Sequence, residues 1–195
     1  MTQSLSKAPV LTRDEKHIYR LDGVVIPGVS QIIREAGMSS FPESGGSWQS
    51  QRGQAVHLAC QLWDEADLDE ATLDPAIAPY LEAWKNFLAE NKAKVLMNEQ
   101  MLYHPTLRYA GTIDRLLLIG EQEFLCDIKT GSKYPEYPIQ TAGYALLIDR
   151  PVGRMCVYLA GNGTFNTSTH RDRSDEQYFL AAYTISNWHR NGGGE

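Results

Sequence analysis

The sequence predicts an α/β (α+β) domain in which a mixed central sheet of about five strands is flanked by helices. The first observation behind this is a pair of β-type runs, 112–119 and 123–129, joined across Gly120-Glu121-Gln122; the earlier run is apolar and rich in branched residues. The second is helical periodicity over 48–66, 75–91, 139–149 and 174–190. The third is the interleaving of these helices with further strand-like runs at 95–103, 152–160 and 164–169, the last two joined by Gly161-Asn162-Gly163. No internal repeat and no second domain is visible, so residues 1–195 are expected to form one domain.

Residues 1–15 carry little pattern and are expected to be a loose lead-in. Runs 17–21 and 24–26 read as a small hairpin, because Asp22-Gly23 favours a tight primed turn; Pro27-Gly28 breaks it. A short helix over 29–36 ends at Gly37. The Ser-, Gly- and Pro-rich stretch 39–47 should be a mobile surface loop near the mouth of a cleft. The helix over 48–66 has Ser47 as its expected cap and Val56, Ala59, Cys60 and Trp63 as its apolar stripe. The acidic run 64–74 reads as a solvated turn region. Pro75 suits the first turn of a helix reaching about residue 91, with Ile77, Tyr80, Leu81, Trp84, Phe87 and Leu88 inward. His104 is expected in a turn. For the last helix, Ser174 and Gln177 fit a capping box, and Phe179, Leu180, Tyr183, Ile185 and Trp188 are expected to pack.

The chemistry collects around the hairpin. Pairing about a turn centred near residue 121 sets Asp114 opposite residues 127 and 128, while Asp127 and Lys129, two apart, share a face. Two carboxylates and an ammonium therefore meet at one end of the sheet. Close carboxylates repel unless a cation lies between them. Oxygen ligands suit Mg²⁺ or Mn²⁺ better than zinc. A lysine beside such an ion can orient or help deprotonate a water, which makes a hydrolytic centre for a phosphodiester. Taken singly, each of these residues reads as a solvated strand-end charge; their grouping between apolar strands, Gly111 and Thr130-Gly131 favours a site. Glu99 is the one charge on the strand face Val95, Met97, Glu99, Met101, and a charge in apolar company requires a partner. His57 lies beside the apolar stripe of its helix, where the plain reading is a hydrogen-bonded structural histidine.

Gly-Thr-Ile-Asp (111–114) followed by Asp-Ile-Lys-Thr-Gly (127–131) resembles the PD-(D/E)XK nuclease superfamily, its RecB-like branch in particular. Arg52-Gly53-Gln54-Ala55-Val56-His57 is similar to that branch's upstream Arg-Gly-x-x-x-His helix, and Gln140-Thr141-Ala142-Gly143-Tyr144 to its downstream Gln-x-x-x-Tyr helix. Each motif is weak alone; four in the expected order, over roughly residues 20–190, make a strong combined signal. The pattern is most similar to small phage or prophage exonuclease-type proteins. The resemblance implies a restriction-endonuclease-like core and a metal-dependent DNA nuclease, with Asp114 and Asp127 holding Mg²⁺ or Mn²⁺. It implies His57, Glu99 and the Ile128 carbonyl as further metal contacts, His57 alternatively touching the scissile phosphate. Lys129 positions the attacking water, and Gln140 and Tyr144 brace the site. Arg52 either holds a DNA phosphate or closes an ion pair. Lys133 and Tyr134 either contact DNA or, for the tyrosine, pack their loop down, the latter being favoured.

Hydrophobic residues make up 43% of the chain and charged ones 22%, ordinary for a soluble domain. No apolar run approaches the ~20 residues of a membrane span, and the N-terminus lacks a signal-peptide layout, so the expected setting is the cytoplasm of a bacterial cell or phage-infected host. Cys60, Cys126 and Cys156 are too few and too scattered for the iron–sulfur cluster that some RecB-like relatives carry, and read as buried thiols. A net charge of −6 argues against indiscriminate DNA binding and confines contact to a basic cleft, a recombination partner protein or a homo-oligomer. It also favours the alternative reading: a catalytically silent nuclease-fold module that binds DNA or a protein.

Overall fold

A three-stranded and a five-stranded sheet form in the computed structural model, which describes residues 8–40 and 48–193. In chain order the small sheet comprises β1 (Leu11–Arg13), β2 (Tyr19–Leu21) and β3 (Val24–Ile26), followed by helix α1 (Val29–Glu35). Helices α2 (Trp48–Asp64) and α3 (Ala78–Asn91) lead into β4 (Lys94–Tyr103), β5 (Ala110–Ile119) and β6 (Gln122–Lys129). Then come α4 (Tyr137–Ala145), β7 (Gly153–Leu159), β8 (Phe165–Thr169) and α5 (Ser174–Arg190). The large sheet runs β4-β5-β6-β7-β8, with β6 and β7 parallel and every other neighbour antiparallel. Parallel neighbours need a crossover, and α4 supplies it. This is the expected mixed sheet with flanking helices.

Helices α2 and α3 cover one face: Val56, Ala59, Leu81 and Trp84 close on Leu117, Cys126, Ile128 and Val157. Helices α1, α4 and α5 cover the other, where Ile32, Ile33, Leu147 and Phe179 gather with Tyr109. Each such side chain fully withdrawn from water contributes roughly 1.5–3 kcal/mol. The hairpin turn is tighter than expected, with Ile119 paired to Gln122 and Gly120 at φ 62°. Asp22 (φ 52°) and Gly23 (φ 81°) make the expected primed turn of the small sheet.

Several local expectations are revised. The lead-in is not loose throughout, since β1 pairs with β2 from Leu11↔Leu21 to Arg13↔Tyr19; a three-residue strand is too short to show alternation. Helix α3 starts at Ala78 with Pro79 in its first turn, because Asp74 accepts from Ala76 and Ile77 and turns the chain just before. The Ser174–Gln177 capping box does not form; Asp172 accepts the Ser174 N–H at 2.9 Å instead. On α5, Phe179, Ala182 and Ser186 are buried, whereas Ile185 and Trp188 face outward at 37% and 56% exposure. Residues 1–7, the part of the expected mobile loop at 41–47 with its Ser47 cap, and Gly194 lie outside the described residues.

Strand β4 departs from simple alternation. Val95 pairs with Leu117 and Met97 with Leu116, so one residue, Leu96, bulges out. Val95 then packs with the α2–α3 side and Met97 with the opposite side. Farther along, Asn98↔Arg115 and Gln100↔Ile113 set Glu99 across from Asp114, and Glu99 has φ 46°. A left-handed conformation at a residue with a Cβ costs about 1–2 kcal/mol. Glu99→Gly is therefore expected to be more stable than Glu99→Ala by about 1 kcal/mol in urea denaturation. Equal stabilities would show that no strain resides there.

Candidate active site

Strands β5 and β6 pair from Ile119↔Gln122 to Arg115↔Cys126 and then part. Strand β5 stays with β4, while Asp127, Ile128 and Lys129 pair with Cys156, Val157 and Tyr158 of β7. The Ile128 peptide faces the opening, and side chains take up its hydrogen bonds. Asp114 Oδ2 accepts its N–H at 2.8 Å, and its carbonyl lies 2.9 Å from His57 Nε2. Backbone polar groups withdrawn from water seek partners, so this opening fixes two candidate ligands.

With the Nε2 proton on the Ile128 carbonyl, the lone pair of a neutral His57 ring is on Nδ1. That atom lies 3.6 Å from Asp114 Oδ2 and 3.8 Å from Glu99 Oε1. His57, Glu99 and Asp114 each present one ligand atom, all within 4.8 Å of one another. The two carboxylates suit Mg²⁺ or Mn²⁺, and the imidazole nitrogen favours Mn²⁺ of the two. Burial opposes charge on the ring, yet the carboxylates of Asp114, Glu99 and Asp127 outweigh it and raise the His57 pKa to about 9. A charged ring there draws the two carboxylates together, and a metal held by the three residues would take the place of its proton.

Asp127 and Lys129 lie on the α4 side. Lys129 Nζ is 2.6 Å from Asp127 Oδ2, 3.2 Å from Gln140 Oε1 and 4.4 Å from the Tyr137 ring centre. Burial pushes the Asp127 carboxyl up, with Asp114 adding to the shift and Lys129 pulling against it. Burial disfavours the Lys129 ammonium, but Asp127 and Asp114 override this and hold its proton far above the usual range. Asp127 is not one of the His57–Glu99–Asp114 group; its Oδ2 pairs with Lys129 instead. Asp114 turns toward α2 and Asp127 toward α4, with the Ile128 peptide between them. The Ile128 carbonyl meets that group through His57.

Gln140 and Tyr144 both reach Ser30 beside this arrangement. Gln140 accepts from Lys129 and donates to Ser30 Oγ at 2.9 Å, while the Tyr144 hydroxyl lies 3.5 Å from the same oxygen. The Tyr144 ring lies against Gly111, where a Cβ would stand 2.6 Å from it. The glycine of one motif is thus the seat for the tyrosine of another. Gly111→Ala is expected to destabilise the fold by about 1–3 kcal/mol in urea denaturation; wild-type stability would mean that the ring moves aside at no cost.

Beneath Glu99 lies a buried network. Arg115, at 0% exposure, donates to Asp64 Oδ2 (2.5 Å), Glu99 Oε1 (3.3 Å) and its neighbour's carbonyl, Asp114 O (2.6 Å). Trp84 Nε1 donates to Asp64 at 3.0 Å. Asp64 is therefore not part of a solvated acidic run: its side chain is 1% exposed at the end of α2. Burial raises its carboxyl pKa, with Arg115 and Trp84 pulling down.

Arg52 donates to the Thr130 carbonyl at 3.0 Å and lies over the Tyr80 ring, tying α2 to the segment after Lys129. Tyr134 is half-buried and edge-on to buried Tyr137, and exposed Lys133 sits over Tyr158. Two clefts flank α2. One of ≈ 720 Å³ has the metal-ligand group in its wall, facing Arg13, Lys16 and Arg34. The other, of ≈ 810 Å³, is lined by Lys129, Arg52, Tyr134 and Asn166. Three basic side chains thus share the first cleft with Glu99 and Asp114, in a chain of net charge −6.

Sequence reasoning missed Ser30, Asp64, Trp84 and Arg115. Arg115 carried a usable signal, being a charge inside an apolar run, the cue that singled out Glu99. Ser30 carried none, since its role depends on where α1 meets α4. No helix among the described residues is long and apolar enough to cross a membrane.

No protein-family model and no curated protein matches the sequence. Solved structures do match. LHK-Exo in complex with dAMP, an alkaline exonuclease from Laribacter hongkongensis, aligns with TM-score 0.51 and 16% identity over 86% of this chain and 88% of that one. A candidate exonuclease from Eubacterium rectale aligns with TM-score 0.50 and 10% identity over 85% of this chain and 74% of that one. At such identities it is the architecture that is shared. The chain accordingly shares the fold of these exonuclease structures.

Proposed function

We propose that this chain is a Mg²⁺- or Mn²⁺-dependent deoxyribonuclease, of exonuclease type, acting in phage DNA recombination or processing. The observation that carries the reading is the convergence of His57, Glu99 and Asp114 beside the Asp127–Lys129 pair at the opening of the sheet. A fold neighbour solved with dAMP, a deoxynucleotide, supports DNA over RNA. The basic wall of the first cleft supplies the phosphate-binding surface such a substrate needs. The setting that fits is the cytoplasm of a bacterium or phage-infected host, with a recombination protein or further copies of the chain adding DNA contacts.

The residues divide the work. His57, Glu99 and Asp114 would hold the metal, which when bound polarises a phosphate oxygen and lowers the pKa of a nearby water. Lys129 has three N–H donors, of which Asp127 and Gln140 take two, leaving one for the phosphate or the attacking water. Asp127 keeps the ammonium charged and fixed; Gln140, held by Ser30, fixes it from the other side. In the hydrolysis a water oxygen bonds to phosphorus and gives up a proton, the bond from phosphorus to the leaving sugar oxygen breaks, and that oxygen takes up a proton, so that one water is consumed and no net proton is needed.

The test is an assay on linear single- and double-stranded DNA and on RNA, with Mg²⁺, Mn²⁺ or EDTA. Cleavage of DNA that EDTA abolishes, with release of nucleotides from ends, is expected. DNA retention with no cleavage under any metal would favour the silent binding module instead.

A further inference from the structure

We propose, building on the deoxyribonuclease reading above, that an unpaired DNA strand crosses helix α2 at Gly53 and runs on into the second cleft, where Arg52 and Lys133 hold its phosphates. The two clefts meet along one ridge of α2: Ser50, Gly53 and His57, at helical spacing, line both of them. Gly53 is the low point of that ridge, having no side chain. Among the described residues the fold does not ask for a glycine there. Its backbone lies inside a helix without a positive φ, and a Cβ would meet only Thr130 Oγ1, at 3.6 Å, an ordinary contact. Glycine weakens a helix interior relative to alanine. A glycine that the fold does not require, set between two clefts, marks where a ligand comes close to the backbone.

Charge tells the two clefts apart. The first mixes Arg13, Lys16 and Arg34 with Glu99 and Asp114. Among the described residues that line the second, none carries a carboxylate, in a chain of net charge −6. The cations there are not equally committed. Asp127 answers Lys129, and Glu99 and Asp114 face His57. Arg52 instead gives an N–H to the Thr130 carbonyl and lies over Tyr80, which also lines the cleft. Exposed Lys133 lies over Tyr158, a further wall residue. Neither Arg52 nor Lys133 pairs with a carboxylate among the described residues. A guanidinium and an ammonium seated on aromatic rings, their charge unanswered, suit the phosphates of one strand. A cleft of ≈ 810 Å³ is of the size that takes a small ligand, not a double helix. Half-buried Tyr80 and Tyr134 give it aromatic walls suited to unpaired bases.

The test is the fluorescence anisotropy of a labelled oligothymidylate of about eight nucleotides with the full chain in EDTA, beside a duplex of equal length. Binding of the single strand at least ~5-fold tighter than the duplex is expected; equal binding, tighter duplex binding or none overturns the inference. Lys133→Gln is expected to make the plot of log affinity against log salt shallower by about 0.7, the loss of one phosphate contact on a single strand. An unchanged slope overturns that contact. Gly53→Ala is expected to be at least as stable as wild type in urea, yet to bind the oligonucleotide at least ~10-fold more weakly, because its methyl group stands in the crossing. Wild-type binding by this variant overturns the crossing; should it not fold, the duplex comparison and the Lys133→Gln slope decide. Metal-dependent cleavage by a chain whose two variants bind as wild type sinks the inference and leaves the nuclease standing. Strand binding with the expected losses, and no cleavage under any metal, supports the inference and sinks the nuclease.

Discussion

Asp114→Asn is expected to lower DNA cleavage by about 10³-fold or more, equivalent to the several kcal/mol a positioned metal supplies to phosphoryl chemistry. Asp114 has two tasks that asparagine separates. Its Oδ2 accepts the Ile128 N–H and faces His57 Nδ1 within the ligand group. An asparagine oxygen still accepts from Ile128, so the opening of the sheet keeps its shape. The charge is gone, and with it both the attraction for a divalent ion and part of what raises the His57 pKa. Mn²⁺ binding should weaken at least ~10-fold, while the circular dichroism spectrum stays that of the wild type. Wild-type cleavage by this variant would remove Asp114 from the site.

The second large effect is on stability. Arg115→Met is expected to destabilise the fold by about 3–5 kcal/mol, because it leaves Asp64 charged, buried and unpaired. Asp64 and Arg115 are 1% and 0% exposed and 2.5 Å apart, so no water replaces the lost partner. Adding Asp64→Asn should recover most of the loss, since removing both charges of a buried pair is often neutral. Trp84 retains an oxygen acceptor in that double variant. Urea denaturation of wild type, single and double variants measures this. If the single variant loses under 1 kcal/mol, the network is not the buried charge pair described, for surface pairs carry about that much.

The buried Asp64–Arg115 pair, the split sheet and the ligand group differ in how far they were legible in the chain. The hairpin was readable because Gly120, the branched run before it and the alternation after it are local signals. His57, Glu99, Asp114 and the Asp127–Lys129 pair were legible as residues, and their order along the chain pointed to the fold. Their division was not. That Asp114 faces α2 and Asp127 faces α4 follows from β5 and β6 parting after Arg115↔Cys126. Nothing in the residues of either strand alone records this, because a strand's pairing limit is set by which neighbours compete for it. The bulge at Leu96 was hidden for the same reason: an extra residue shows only against the register of a partner. Ile185 and Trp188 were misjudged because helical periodicity marks an apolar stripe without saying what covers it.

By itself, then, the sequence determined the kinds of element, the apolar faces that bury them and the set of acids, bases and amides from which a site is made. These are short-range properties: turn chemistry, periodicity and the identity of side chains. Tertiary structure alone decided which charges meet. It set Arg115 between Asp64 and Glu99 across 51 and 16 residues of chain, and seated Tyr144 on Gly111. The reason is that electrostatic and packing energies depend on distance in space and on exclusion of water. Both arise only once helices α2 and α4 have closed over opposite faces of the same sheet.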